Sequence, residues 1–296
     1  MVPAIQVECL AKSYEGRPVV KQISFEVQPG EIFGFLGPNG AGKTTSIRMM
    51  IGELPPDGGK VTIAGLSMPA DRDRIKSLMG VVPDHQNLYD RLTVRQNLDV
   101  FARLHGVPTG RVEELIDLVD LREHADHPTS RLSRGLRQRT LIARGILHRP
   151  QVFFLDEPTS ALDPHSARSI RSLIQSLRDQ GTTVFLTTHY MEEANSLCHR
   201  IAIMHQGTIV ATDTPAGLRM RYGRPTIRIT LKDEAAPVEV PLNDADGART
   251  LAGYLEADRV ARVHSQEATL EEAFMRLTGA EWREHETEPP APEASA

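Results

Sequence analysis

The residues Gly37, Pro38, Asn39, Gly40, Ala41, Gly42, Lys43, Thr44 and Thr45 combine spaced glycines with a terminal Lys-Thr-Thr, types that can hold phosphate. Glycines let consecutive backbone N–H groups turn inward, and a helix that follows adds its positive end. Lys43 is then aimed at the β- and γ-phosphates of a nucleotide and Thr44 at a magnesium ion. Such a loop requires a strand before it and a helix after it. Both are present, as the apolar run Ile32-Phe33-Gly34-Phe35-Leu36 and the helix-like stretch from Lys43 to Met50. The expectation is a nucleoside triphosphate site.

A second group of residues could act on that nucleotide. Phe153-Phe154-Leu155-Asp156-Glu157 ends an apolar run with two consecutive carboxylates. Strand alternation is expected to aim them differently, so that one can hold the metal while the other faces a water. The pair resembles the Walker-B arrangement of phosphate-loop enzymes, which implies Asp156 as the magnesium partner and Glu157 as the group that polarises the water attacking the γ-phosphate. Leu132-Ser133-Arg134-Gly135-Leu136 opens a basic helix; a free Ser133 hydroxyl and a flexible Gly135 at a helix start form another anion site. His189 directly follows the strand-like run Val184 to Thr188, a place where histidines are usually structural. Asp163 precedes a proline as a helix N-cap, and Tyr14 ends a strand-like run.

The elements that must position these groups follow from periodicity. Ile5 to Leu10 and Ile23 to Val27 alternate with period two and are expected to be antiparallel strands flanking the nucleotide strand. Thr93 with Gln96 reads as a capping box, and Val112, Leu115, Ile116 and Val119 recur at helical spacing, so residues from about 86 to 150 form a mainly helical insert. Gln151 to Asp156 is a buried strand, and the helix after it carries Ile170, Leu173, Ile174 and Leu177 on one stripe and stops at Gly181. A further strand from Thr182 to Thr187 makes a strand-helix-strand unit, hence a parallel sheet in an α/β core. Beyond about residue 220, Ile227 to Leu231 and Val238 to Val240 alternate as short strands. Thr269 with Glu272 caps a helix carrying Leu270, Phe274 and Leu277, which makes this segment a small α+β module. The Pro-rich polar end, residues 281–296, is expected to be disordered.

A chain of 296 residues with 40% apolar residues can bury a full domain and a smaller appendage. Its formal charge of −5 argues against nucleic acid as the main partner. Cys9 and Cys198 have neither metal-ligand nor disulfide-framework spacing, and both are expected to be reduced, buried and structural in a cytosolic compartment. No run approaches the ~18 apolar residues that span a bilayer, so a soluble chain is expected.

Taken in order, GPNGAGKTT, LSRGL, FFLDEP, SALDP and TTHYMEEA resemble the ATP-binding subunits of ABC (ATP-binding cassette) transporters over about residues 1 to 220. The resemblance implies a phosphate-loop NTPase core with an antiparallel β subdomain and a helical subdomain, and ATP with Mg2+ as cofactors. It also implies a site shared between two copies. Gly37 to Thr45, Asp156, Glu157 and His189 of one copy would face Ser133 and Gly135 of the other across ATP, with Tyr14 stacked on adenine. His189 would stand against the γ-phosphate, and Asp163 would signal across the dimer.

Two positions depart from the family pattern. Arg134 and Leu136 stand where LSGGQ has a glycine and the glutamine, and Asp84 stands after Pro83 where a glutamine usually contacts magnesium. Asp84 is the expected metal ligand, with Gln86 the alternative. Both departures, and the ending TLEEAFMRLTG, resemble the branch that pairs with ABC-2 type export permeases in drug and antibiotic efflux. The implied function is an ATP-hydrolysing exporter subunit, peripheral on the cytoplasmic face of the membrane, whose partners are a second copy (or paralogous subunit) and a transmembrane permease. The implied domains are an ATP-binding domain at 1–220, the α+β module at 221–280 and the tail. The rival is a nucleic-acid-associated ABC-type ATPase; such proteins carry long coiled coils or zinc inserts, and this sequence has neither.

Overall fold

In a computed structural model, residues 2–279 are described except 86, 109, 224–225, 233–235 and 242–244. Ile5, Val7 and Leu10 point inward from β1 (Ile5–Tyr14), which turns through Glu15 and Gly16 into β2 (Arg17–Val27). Both turn residues have positive φ, 50° and 77°, the combination that a two-residue hairpin with native twist requires. The chain then enters β3 (Ile32–Leu36), α1 (Lys43–Met50), β4 (Gly58–Ile63), β5 (Leu66–Ser67), α2 (Arg72–Leu78) and β6 (Met79–Val82).

The hairpin does not flank β3, contrary to expectation. It belongs to a separate four-stranded sheet of order β2-β1-β4-β5. The reason is visible in β3, which is buried at every residue and so needs cover on both faces, whereas β1 and β2 are each buried on one face only. Phe25 of β2 supplies part of that cover, stacking on Phe33 of β3 with centroids 5.6 Å apart and meeting Phe35 at 4.9 Å.

The helical insert follows, with α3 (Val94–Leu104), α4 (Gly110–Leu118) and α5 (Arg134–Gly145). Thr93 accepts from the Gln96 N–H while the Gln96 side chain accepts from Thr93 N–H, the expected capping box. Next come β7 (Val152–Asp156), α6 (Pro164–Asp179), β8 (Thr183–Thr188), α7 (Met191–Leu197), β9 (Arg200–His205) and β10 (Thr208–Asp213). The central sheet has the order β10-β9-β3-β8-β7-β6, and the contacts of β3 with β8 and β9, of β7 with β8 and of β6 with β7 are all parallel. The loops that leave the carboxyl ends of β3, β7 and β8 therefore emerge side by side. Ligands bind at this edge of open parallel sheets.

The described residues divide into two compact units that part between Ile209 and Val210, ahead of the boundary expected near residue 220. The physical reason is α8 (Pro215–Tyr222), which packs along α10 (Leu270–Thr278) of the second unit. That unit also holds β11 (Thr226–Leu231), β12 (Val238–Pro241), α9 (Ala245–Glu256) and β13 (Val260–Gln266), with sheet order β12-β11-β13. Ile227, Ile229, Leu231 and Val240 form its core, and Thr269 and Glu272 close the expected capping box. Neither α9 nor β13 is foreseen from the sequence. The tail at 281–296 lies outside the described residues.

Candidate active site

The loop between β3 and α1 is shaped by close backbone approach. A Cβ on Gly37 would sit 2.4 Å from the Met204 carbonyl oxygen, and one on Gly42 would sit 2.9 Å from that of Val19 at a φ of +104°. Only glycine fits either position. Gly42 is the N-cap of α1; no side chain caps the helix and its first turn holds no acid, so its N-terminal end is open to an anion. Lys43 is buried beneath the loop. Its Nζ donates to the carbonyls of Gly37 (2.7 Å) and Pro38 (3.3 Å) and lies 3.1 Å from Glu157 Oε1.

At the end of β7 the two carboxylates part company, though not by strand alternation. Glu157 lies just beyond the strand at a φ of +51°, a left-handed turn that is strained for a residue with a side chain. Its N–H donates to the carbonyl oxygen (3.2 Å) and hydroxyl (3.1 Å) of Thr187 on β8, which anchors the turn. Asp156 stays buried and accepts from the hydroxyls of Thr187 and Thr44. Burial pushes its carboxyl above the ordinary range; the two hydroxyls oppose this, and the charges of Glu157 and Asp84 add to it.

His189, the residue after β8, brings its Nδ1 to 2.7 Å from Glu157 Oε2. Burial alone would raise the Glu157 carboxyl, but the His189 hydrogen bond and the Lys43 charge outweigh it and hold the group below its usual range. Three side chains, Lys43 from the start of α1 and Glu157 and His189 from the ends of β7 and β8, thus converge.

Asp84 is exposed after Pro83, close enough for its charge to act on Asp156; Gln86 lies outside the described residues. Tyr14 ends β1 half-exposed, with Lys12 Nζ 5.9 Å from its ring centroid. Ser133 caps α5, the capping position expected of it, by accepting from the Leu136 N–H (3.4 Å). Gly135, however, is not there for flexibility. It lies in the helix, and a Cβ there would meet Ser166 Oγ at 2.5 Å. Asp163 caps α6, accepting from the N–H groups of His165 (3.0 Å) and Ser166 (2.9 Å). Ser166 therefore joins the two motifs, packing against Gly135 and donating to Asp163.

The ABC transporter family model matches residues 20–160. Over 301 residues the chain is 37% identical to the Nod factor export ATP-binding protein I of Paraburkholderia xenovorans (strain LB400), covering 95% of this chain and 99% of that one. The chain belongs to the ABC transporter family. Among solved structures it resembles an ATP-binding subunit of an ABC transporter (26% identity, TM-score 0.68, 74% of this chain and 93% of that one). It also resembles cbiO1 from Clostridium perfringens, part of the ABC transporter complex cbiONQ (25% identity, TM-score 0.69, 75% and 92%).

This ABC protein is accordingly an ATPase with the phosphate-loop NTPase fold. Sequence reading missed several residues that surround its site. Thr187 holds both Asp156 and the Glu157 turn, and Thr159 and Glu193 form a buried pair behind them. The signals available were the threonines of TTHYMEEA and its second glutamate. Of the cysteines, Cys198 is buried, but Cys9 is exposed, contrary to expectation. Cys9 sits at a φ of +48°, in a register shift of β1 between Val7 and Leu10 that breaks the inward-outward alternation.

Proposed function

We propose that this chain is the ATP-hydrolysing subunit of an exporter, in which two copies close on two MgATP and drive a separate membrane permease. The observation that carries the reading is the meeting of Lys43, Glu157 and His189 beside an open helix N-terminus, in a chain related over its length to export ATP-binding proteins. In this reading Lys43 leaves Glu157 for the γ-phosphate, and Glu157, kept ionised, orients water for in-line attack while His189 donates to the developing charge.

The hydroxyl of Thr44 beside the Asp156 carboxylate, with the Asp84 charge nearby, is a hard-oxygen donor set that suits magnesium. These residues would hold the ion, which when bound neutralises phosphate charge. Ser133 and Gly135 start a helix whose dipole would face the ATP of the second copy, and Asp163 is joined to that helix through Ser166. Tyr14 is exposed and available to adenine. Among the described residues no helix is long and apolar enough to cross a membrane, so the spanning helices in this reading belong to the permease.

Affinity purification of the tagged chain from detergent-solubilised membranes, with an ATPase assay of the purified complex, tests the assignment. Recovery of a polytopic membrane protein whose presence changes the ATPase rate is the expected result. Recovery of DNA in its place would support the nucleic-acid alternative.

A further inference from the structure

Glu193 lies on α7 with 2% of its surface exposed, behind the Glu157–His189 pair. Thr159 Oγ1 donates to its Oε1 at 2.8 Å, and the Thr188 hydroxyl lies near enough to the carboxyl to favour its ionised form. Thr159 is two residues past Glu157, and Thr188 is the residue before His189. The Thr188 carbonyl in turn accepts from the Gly37 N–H of the phosphate loop (3.3 Å), and its hydroxyl accepts from Tyr190 N–H (3.0 Å). Among the described residues, Glu193 Oε2 is buried with no hydrogen-bond partner within standard geometry. The guanidinium of Arg171 is engaged with Glu192 at 3.1 Å. A buried carboxyl without a cation of its own costs stability, and an apolar residue of similar size would avoid that cost.

We infer that Glu193 is a positioning residue for hydrolysis: its carboxyl ties the loop after Glu157 to the strand end before His189 and thereby fixes those two side chains against each other. The inference rests on the reading of Glu157 and His189 as the hydrolytic pair. Burial pushes the Glu193 carboxyl up to about 7; the Thr188 and Thr159 hydroxyls oppose this, the Glu157 charge adds to it and that of Arg171 opposes it. The other titratable group facing it is the Cys198 thiol, itself pushed up by burial and by Glu193. Below that value Glu193 is neutral and leaves Glu157 ionised beside it. Above it, the hydroxyl bonds to Glu193 strengthen, but a second negative charge enters the buried cluster and repels that of Glu157.

The test uses the full chain, with steady-state ATPase rates read beside the affinity for a fluorescent ATP analogue, in folded Glu193→Ala, Glu193→Gln and Thr159→Val proteins. Glu193→Ala should lower kcat by about tenfold or more with analogue affinity changed less than about twofold, since misplacing a reacting group costs rate before binding. Thr159→Val should lower kcat in the same direction, and the double variant should be no worse than Glu193→Ala alone, because both remove one contact. Glu193→Gln keeps the shape and the acceptor for Thr159. It should retain kcat within about threefold near pH 6.5 and lose the decline that the parent chain shows toward about pH 8. An unchanged kcat in Glu193→Ala and Thr159→Val, or a Glu193→Gln profile that follows the parent, overturns the inference. Turnover by the parent chain reports separately on the hydrolytic reading.

Discussion

Glu157 Oε2 stands 2.7 Å from His189 Nδ1 while its other oxygen meets Lys43 Nζ at 3.1 Å, so one carboxylate links the ends of β7 and β8 to the first residue of α1. Both partners favour the ionised acid, the form that can polarise water.

Removing that charge should separate binding from chemistry. Glu157→Gln is expected to keep ATP affinity within a few-fold and to lower phosphate release by about 10²–10⁴, the range for loss of a general base. Sizing chromatography with ATP should then reveal an accumulated dimer. A variant that still turns over at near the parent rate removes Glu157 from the mechanism.

The two neighbouring acids should respond in opposite ways in thermal melts without nucleotide. Glu157 has a depressed folded pKa, so it contributes stability at neutral pH that is lost as pH falls through its folded value. Asp156 has a raised folded pKa, so its ionised form costs stability at neutral pH and the cost is relieved as pH falls. Glu157→Gln should therefore lower Tm by about 2–4 °C and Asp156→Asn should raise it by a similar amount. Asp156→Asn should also abolish magnesium-dependent turnover. Shifts of the same sign in both melts contradict this account.

Gly135 is a packing position. Gly135→Ala should destabilise by about 1–3 kcal/mol, because its Cβ would fall 2.5 Å from Ser166 Oγ. The double change with Ser166→Gly should recover most of the loss, and denaturant melts of the single and double variants measure it. Equal instability in both would place the strain elsewhere.

The composite site can be tested by mixing. A Lys43→Ala chain combined with a Ser133→Arg chain puts both lesions in one site and leaves the second site intact, so about half of the per-dimer activity should return in heterodimers if the two sites act independently. Verified heterodimers as inactive as either parent argue against sharing.

For Asp84, Ala should raise the magnesium concentration for half-maximal ATPase about 10-fold, whereas Gln should be tolerated, because the ion is the largest local charge. A magnesium titration decides, and an unchanged midpoint in Asp84→Ala returns the role to Gln86 or to no side chain.

What the sequence determined by itself is local. The β3–loop–α1 unit reads directly because strand, glycines and helix are contiguous, and the Thr93 and Thr269 caps read because each closes on a residue three positions away. The buried runs of β7 and β8 were legible from length and apolarity, although not which strand lies beside which. Strand neighbours were decided only in three dimensions. The hairpin that alternates like a neighbour of β3 went to another sheet, because pairing partners are chosen by which faces need cover. Weakly apolar α9 and β13 became ordered against β11 and β12 and were invisible beforehand. The Glu157–His189–Lys43 contact exists because parallel pairing aligns Asp156 with Thr187 and Leu36 with Thr188, bringing together residues far apart in the chain. The strained turn at Glu157 and the buried carboxyl of Glu193 depend on that same alignment: a backbone angle and a missing partner are properties of neighbours in space, and residue order alone does not encode them.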